Sequence, residues 1–155
     1  GIKQSAFWLK TSEAGKVIKF LANRHPLVEA YRARLVAHLV ETGYTATHFG
    51  RRIYRPEIWS GPGPARDHAE RSVMPDAIQG TAADVMKLWL TRIAPRLSNT
   101  SHLLLTVHDE VVGECLPEEV DGVRRLLAAA LEGIIPVRLP CEFWTGPNWA
   151  DMVRL

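Results

Sequence analysis

Three ionisable residues interrupt an apolar stretch in the last third of the chain. In "LLLTVHDEVVGECL", residues 103–116, His108, Asp109 and Glu110 separate two strand-like runs. Burying such side chains without partners is costly, so the pattern predicts an antiparallel hairpin that exposes them at or beside its turn. Two adjacent carboxylates repel each other unless a cation lies near them, and their hard oxygen atoms suit Mg²⁺. The alternative is a solvated acidic turn.

A polar triplet lies on an otherwise apolar helix in "PDAIQGTAADVMKLWL", residues 75–90. Gln79 has both donor and acceptor groups, so it could contact hydrogen-bond acceptors in a nucleic-acid minor groove. Arg71 lies eight residues earlier, slightly over two helical turns away. The two side chains could therefore share a face and follow one strand. The alternative is a partly buried glutamine that serves the fold alone.

The charge of the chain is nearly balanced, with 19 Lys and Arg against 17 Asp and Glu. Its arginines are clustered, however, and five of them fall within 21 residues: Arg51, Arg52, Arg55, Arg66 and Arg71. A guanidinium can donate two hydrogen bonds at once, so such a cluster suits phosphate. A solvated basic loop is the alternative that charge alone leaves open.

The elements that must position these residues form an α+β pattern. Helix is predicted over residues 11–42, interrupted at His25-Pro26 and ended by Gly43. A short hairpin follows over residues 44–55, and a Gly- and Pro-rich loop over residues 60–70. The order is completed by a helix over about residues 67–93, the acidic hairpin, a helix over residues 120–131 and a final strand over residues 137–146.

Length and composition indicate one globular domain of 155 residues, 46% of them apolar. We expect no membrane association, because no apolar run approaches the ~18 residues that a span needs, and we find no signal peptide. Cys115 and Cys141 fit no metal-ligand spacing, so two reduced thiols are expected.

Together these stretches closely resemble the C-terminal palm and fingers part of family A DNA polymerases, the polymerase I type. "TVHDEVV" resembles the third conserved polymerase motif, and "ER" followed by "IQGTAADVMKL" resembles the palm helix that contacts the primer–template minor groove. Similar matches, in order along the chain, are "GIKQSAF", "GYTATHFGRRIYRPEI" and "VRLPCEFWTGPNWADM". The resemblance covers essentially the whole chain and implies a palm-type hairpin and C-terminal strand packed with helices.

The resemblance also implies the chemistry of nucleotidyl transfer. The substrates would be primer–template DNA and deoxynucleoside triphosphates, and the cofactor would be two divalent metal ions, preferably Mg²⁺. Asp109 would be one metal ligand, Glu110 its helper, and His108 a neighbour of the primer terminus. Gln79 and Arg71 would hold the duplex, largely without reading sequence. Two roles are left open for Arg51 and Arg52, which could either contact backbone phosphate or brace the palm. A bacterial or phage-infected cytoplasm is the location that the family implies.

Several features depart from the family pattern. Pro75 replaces an Asn four residues before the palm-helix Gln, Ala77 replaces a Pro, and Gly113 replaces a larger residue, which could loosen the second strand. The Asp-Tyr-Ser metal motif, the fingers helix, the thumb and the exonuclease domain are not in these residues. We therefore expect the chain to be inactive alone and to need the N-terminal polymerase portion, either on a separate chain or as the rest of a longer one.

Two other functions remain open from the sequence. A non-catalytic relic could keep Arg71 and Gln79 for duplex binding, and a metal-dependent hydrolase could use His108 and Asp109. The hydrolase is weakly supported, because the other histidines have no ligand spacing. If the chain is part of a polymerase, aromatic residues should be exposed where the rest of the enzyme would pack. The four candidates are Phe7, Trp8, Trp59 and Trp144.

Overall fold

The computed structural model of the chain describes residues 11–155, which form helices and three small antiparallel hairpins. This confirms the α+β class. The described part of the chain divides into two compact units, one of residues 11–46 and Gly50–Ala77, the other of Thr47–Phe49 and Ile78–Leu155. The helices are α1 (Thr11–Arg24), α2 (Pro26–Thr42), α3 (Pro64–Ile93) and α4 (Val120–Leu131). The strands are β1 (Tyr44–Ala46), β2 (Arg52–Tyr54), β3 (His102–Val107), β4 (Glu110–Glu114), β5 (Trp144–Thr145) and β6 (Val153–Arg154).

The break between α1 and α2 falls where the sequence predicts it. His25 has φ −126° and ψ 60°, outside the helical region, and Pro26 opens α2. Proline suits this first position because its missing N–H has no intrahelical partner there. Gly43 ends α2 in the left-handed conformation, with φ 75°, and its N–H donates to the Leu39 carbonyl.

The core of the first unit lies between α2, the 3₁₀ turn Pro56–Trp59 and the first part of α3. Its buried residues are Leu39, Ile58, Ala69 and Val73. Trp59 covers the end of α2, since its indole N–H donates to the Val40 carbonyl at 2.8 Å and its ring lies against Gly43. This contact explains why Trp59 is fixed in place although much of its surface is exposed.

Helix α3 begins earlier than the pattern predicts. The expected start was about Asp67, but the helix begins at Pro64, because proline's fixed φ is already compatible with a first helical turn. Pro75 lies inside the helix without ending it. The loop predicted over residues 60–70 is therefore shorter than expected.

The core of the second unit lies between the second part of α3 and α4. Its buried residues are Val85, Trp89, Ile93, Ala130 and Ile134. Two polar groups of α3 also tie this helix to backbone carbonyls at the end of α4. Trp89 donates to Leu127 at 2.9 Å, and Arg92 donates to Ala130 and Glu132 at 3.1 and 2.9 Å.

The final strand predicted over residues 137–146 is much shorter in the structure. Only Trp144–Thr145 forms strand β5, and it pairs with β6 from the tail. Pro136 and Pro140 lack the N–H that a strand ladder needs, which accounts for the irregular segment before β5.

None of the helices among residues 11–155 has both the length and the apolar character needed to cross a membrane.

Candidate functional site

The tip of the β3–β4 hairpin carries the three ionisable residues. Val107 pairs with Glu110, so His108 and Asp109 form a two-residue turn and Glu110 is the first residue of β4. His108 has φ 55°, an uncommon left-handed conformation for a residue with a side chain, and a positive φ at the first turn residue matches the twist of a hairpin. The predicted hairpin is confirmed, with all three side chains exposed.

A β-bulge near the base of the hairpin sets the direction of its strands. The register shifts between Leu103 and Leu105, so one of the three leucines has no partner on the opposite strand. Leu103 and Val111 pack against the core of the second unit. Because strand side chains alternate, Glu110 lies on the opposite face from Val111. Bulges of this kind re-aim side chains beside functional sites.

Gly113 is required by the close approach of the two strands at this bulge. A Cβ added there would lie 2.8 Å from the carbonyl oxygen of His102, closer than side chains tolerate. Gly113, which departs from the family pattern, is thus the residue that the local backbone of this hairpin can accommodate.

The carboxylates at the tip have the chemistry of metal ligands but no described partner. Within residues 11–155, the side chains of His108, Asp109 and Glu110 make no hydrogen bond or ion pair, and no group of three His, Cys, Asp or Glu residues could hold a metal ion. Two exposed carboxylates still suit Mg²⁺, which keeps water ligands and is commonly bound through one or two carboxylates plus substrate phosphates. The donor set therefore fits a metal that is completed by ligands from elsewhere.

A third carboxylate closes the base of the same hairpin, and sequence reasoning missed it. Glu119 accepts hydrogen bonds from the Thr100 hydroxyl at 3.0 Å to each oxygen and from the Ser101 hydroxyl at 2.9 Å. Hydrogen bonds from Ser98, Ser101 and Thr100 lower the pKa of Glu119. The only signal in the sequence was the hydroxyl-rich segment "SNTS".

The two residues predicted to hold a duplex lie on α3, and both side chains are exposed. Arg71 belongs to the first unit and Gln79 to the second. Neither side chain makes a hydrogen bond or ion pair with another residue of the described range 11–155. Both are therefore accessible to a ligand, and their shared face remains a prediction.

Arg52 braces the β1–β2 hairpin. Its guanidinium lies over the Tyr44 ring, 4.7 Å from the centroid, a cation–π arrangement. Its pKa is raised by a hydrogen bond with Tyr54 and by the nearby Tyr44. Both roles left open for Arg52, contact with phosphate and bracing of the palm, stay predictions. The same holds for Arg51, which is exposed.

Arg55, which the sequence offered only as part of a basic cluster, forms a two-point ion pair with Asp76. Its Nε and Nη2 donate to the Oδ2 and Oδ1 atoms of Asp76 at 2.7 and 2.8 Å. The hydrogen bonds to Asp76 raise the pKa of Arg55. This pair anchors α3 immediately after Pro75, where the sequence departs from the family pattern.

Two of the four aromatic candidates for an interface are exposed. Trp59 is 60% and Trp144 53% accessible, while Phe7 and Trp8 lie outside the described residues. Exposed apolar side chains are also frequent along α1 and the start of α2: Val17, Ile18, Phe20, Leu21, Leu27 and Val28. Such surfaces often mark interfaces.

The cysteines show no feature of a nucleophile. Burial raises the pKa of both thiols, and Glu119 contributes to the shift at Cys115. Both are free, and the raised pKa favours the neutral thiol over the thiolate.

Comparison with known proteins identifies the family to which this chain belongs. The sequence profile of DNA polymerase family A matches residues 3–151. The chain belongs to DNA polymerase family A. This confirms the resemblance that the motifs indicate.

Relatives of this family A chain include bacterial polymerases. It is 36% identical over 135 residues to the thermostable DNA polymerase I of Thermus aquaticus and 38% identical over 150 residues to DNA polymerase I of Pseudomonas aeruginosa. These matches cover 86% and 92% of the chain but 16% of each relative. The chain thus spans about a sixth of the length of these polymerases.

A solved structure has the same fold as the family A chain. It is the POL domain of Pol1 from M. smegmatis in complex with DNA primer-template and dNTP, with a TM-score of 0.77 and 30% identity. The match covers 83% of this chain and 23% of that one. The helices and hairpins described above therefore match part of a polymerase domain.

Proposed function

We propose that residues 1–155 are the C-terminal palm and fingers portion of a DNA-directed DNA polymerase that needs a further portion for activity. The observation that carries this is the exposed His108-Asp109-Glu110 turn on a palm-type hairpin, in a chain whose family match runs from residue 3 to 151. The further portion would provide the thumb, the fingers helix and the other metal-binding motif, on a separate chain or as part of a longer one.

The hairpin tip would supply half of the metal centre in this function. Asp109 and Glu110 would hold Mg²⁺, and a bound metal pair would supply Lewis-acid chemistry for the primer 3′ hydroxyl and the pyrophosphate leaving group. Asp109 contributes a charged ligand that no internal contact occupies within residues 11–155. His108 would lie beside the primer terminus, where its positive φ fixes the direction of the turn.

The duplex would be held chiefly by α3. Gln79 would contact minor-groove acceptors, and Arg71 would contact the backbone, so neither would select a sequence. Charge supports DNA contact by the first unit, which contains Arg71 and, counted from residue 1 of the sequence, has twelve basic and seven acidic residues. The second unit, which contains Gln79, has seven basic and ten acidic residues. A basic surface attracts the phosphate backbone.

Bacterial relatives support a bacterial or phage-infected cytoplasm as the place where this chain would work. Its ligands would be primer–template DNA and deoxynucleoside triphosphates, as in the complex of the solved relative.

A non-catalytic duplex-binding relic is the second candidate. The exposed Arg71 and Gln79 side chains would allow it to bind a duplex. Two results would distinguish it from the polymerase. The relic would incorporate no nucleotide, and its DNA affinity would survive Asp109→Ala.

Primer extension tests the proposal. The purified chain would be assayed with Mg²⁺ and all four deoxynucleotides, alone and together with a lysate of its native source depleted of this chain. Incorporation only in the mixture, and its loss with Asp109→Ala, supports the proposal. Glu118→Ala is a matched control, because Glu118 is an exposed carboxylate whose side chain makes no hydrogen bond or ion pair within residues 11–155.

Robust incorporation by the chain alone would contradict the need for a further portion. No incorporation in either assay, combined with salt-sensitive DNA binding that Asp109→Ala preserves, would favour the relic.

A further inference from the structure

We infer that Glu119 is a positioning residue for the hairpin tip, because its carboxylate joins the two ends of the β3–β4 hairpin through hydroxyl groups. Ser101 immediately precedes β3, and Glu119 lies beyond β4, at the end of the 3₁₀ turn Pro117–Glu119. The bond between them at 2.9 Å spans 18 residues of sequence. The expected effect of Glu119 on nucleotide transfer rests on the proposed function, whereas its anchoring of the hairpin base does not.

The geometry at the hairpin base is specific. Thr100 donates to both carboxylate oxygens at 3.0 Å, and its hydroxyl lies 2.9 Å from that of Ser98. Ser101 is buried, with 4% exposure. Hydrogen bonds to a charged acceptor are about twice as strong as neutral ones, so this cluster is a strong local constraint on the start of β3.

The simpler role, capping of α4, does not account for these contacts. Glu119 occupies the position before α4, but its side chain makes no capping hydrogen bond to that helix. Its carboxylate is directed instead at the segment that enters β3.

The hairpin needs such a constraint because it is a sheet of only two strands. Two-stranded hairpins are marginally stable by themselves, and the bulge between Leu103 and Leu105 interrupts the ladder. Base anchoring therefore determines how well the turn at His108 and Asp109 is held. Small displacements of metal ligands are costly, since a shift of about 1 Å can reduce a rate about a hundredfold.

Glu118 provides a matched control. It lies in the same 3₁₀ turn and is exposed, and among residues 11–155 its side chain makes no hydrogen bond or ion pair. Glu118→Ala therefore removes an equal charge without touching the hydroxyl cluster.

Amide hydrogen exchange on the full chain tests the inference. Glu119→Ala should accelerate exchange of the amides paired between β3 and β4 by about tenfold, with little change in α3 and α4. Glu118→Ala should leave the hairpin amides unchanged. Glu119→Gln retains one acceptor oxygen and should fall between the two.

Equal exchange in Glu119→Ala and Glu118→Ala would overturn the inference, as would acceleration confined to α4. If Glu119→Ala does not fold, Thr100→Val and Ser101→Ala provide the same test from the donor side.

A polymerase assay separates this inference from the proposed function. In the mixture that restores activity, Glu119→Ala should lower kcat by at least about tenfold with KM for the deoxynucleotide unchanged, and Glu119→Gln should recover part of it. If the wild-type mixture is inactive, the proposed function fails while hydrogen exchange still decides the role of Glu119.

Discussion

Arg55 and Asp76 form a two-point ion pair that holds α3 against the segment leading out of β2. The N–O distances are 2.7 and 2.8 Å, and the side chains are 27% and 13% exposed. The planar guanidinium matches the carboxylate in a way that lysine cannot.

Removing this pair should destabilise the first unit. We expect Arg55→Ala to lower the free energy of unfolding by about 1–3 kcal/mol, because it leaves the largely buried Asp76 carboxylate without its partner. Arg55→Lys should recover only part of the loss. Urea denaturation monitored by tryptophan fluorescence measures both.

Arg66 and Glu70 supply the control for this prediction. They form an i,i+4 pair at 3.1 Å on the surface of the same helix. Such exposed pairs contribute about 0.3–0.5 kcal/mol, so Arg66→Ala should have a small effect. Equal losses in Arg55→Ala and Arg66→Ala would show that two-point geometry and burial do not matter here.

Gly113→Ala should destabilise the β3–β4 hairpin. The added Cβ would lie 2.8 Å from the His102 carbonyl oxygen, and relieving the overlap requires a backbone shift that costs about 1–3 kcal/mol. Gly122→Ala in α4 is the matched control, since its added Cβ has no atom within 4 Å. Alanine favours a helix, so this control should be neutral or stabilise the chain by up to about 1 kcal/mol. Similar thermal shifts in both variants would contradict the predicted close contact.

Gly43→Ala should destabilise the chain more than Gly50→Ala. Both glycines have a positive φ, 75° and 83°, so both substitutions carry backbone strain of about 1–2 kcal/mol. Only at Gly43 would the new Cβ overlap the Trp59 ring. Adding Trp59→Ala to Gly43→Ala should remove the overlap but not the strain, and a double-mutant cycle measures the difference. Additive effects would show that the ring and the glycine do not interact.

Acid should weaken the hairpin base through Glu119. Hydrogen bonds from Ser98, Ser101 and Thr100 lower its pKa from the ordinary value of 4.5, so the folded state favours the carboxylate. The resulting stability is fully present above that ordinary value and is lost as the pH falls through the lower folded pKa.

Glu119→Gln should remove this part of the pH dependence. Unfolding measured between pH 2.5 and 6 should show a smaller loss of stability toward acid in the variant than in the wild type. Parallel profiles for the two proteins would mean that the hydroxyl cluster does not favour the charged form of Glu119.

Local signals in the sequence predicted much of this fold. His25-Pro26 marks the break between α1 and α2, Gly43 the end of α2, and "HDE" the hairpin turn, because proline, glycine and ionisable groups act on the backbone where they stand. The α3 start was missed because Pro64 is as compatible with a first helical turn as with a loop. The prediction of a strand over residues 137–146 was wrong for most of its length.

The contacts that hold the candidate site could not be predicted in this way. Arg55–Asp76 and Ser101–Glu119 join residues 21 and 18 positions apart, so they depend on tertiary placement. The bulge at Leu103–Leu105 cannot be located within a run of three leucines, because each register buries a similar set of side chains. The residues of the turn were identifiable, whereas the residues that position it were not.

The most direct measurement replaces the matched segment of Thermus aquaticus DNA polymerase I with residues 3–151 of this chain and follows primer extension. We expect the chimaera to incorporate nucleotides in a Mg²⁺-dependent reaction. Asp109→Asn should reduce the rate by about a thousandfold while primer–template binding is retained. A folded, DNA-binding chimaera whose rate is unaffected by Asp109→Asn, or that incorporates no nucleotide, would contradict a catalytic role for the hairpin tip.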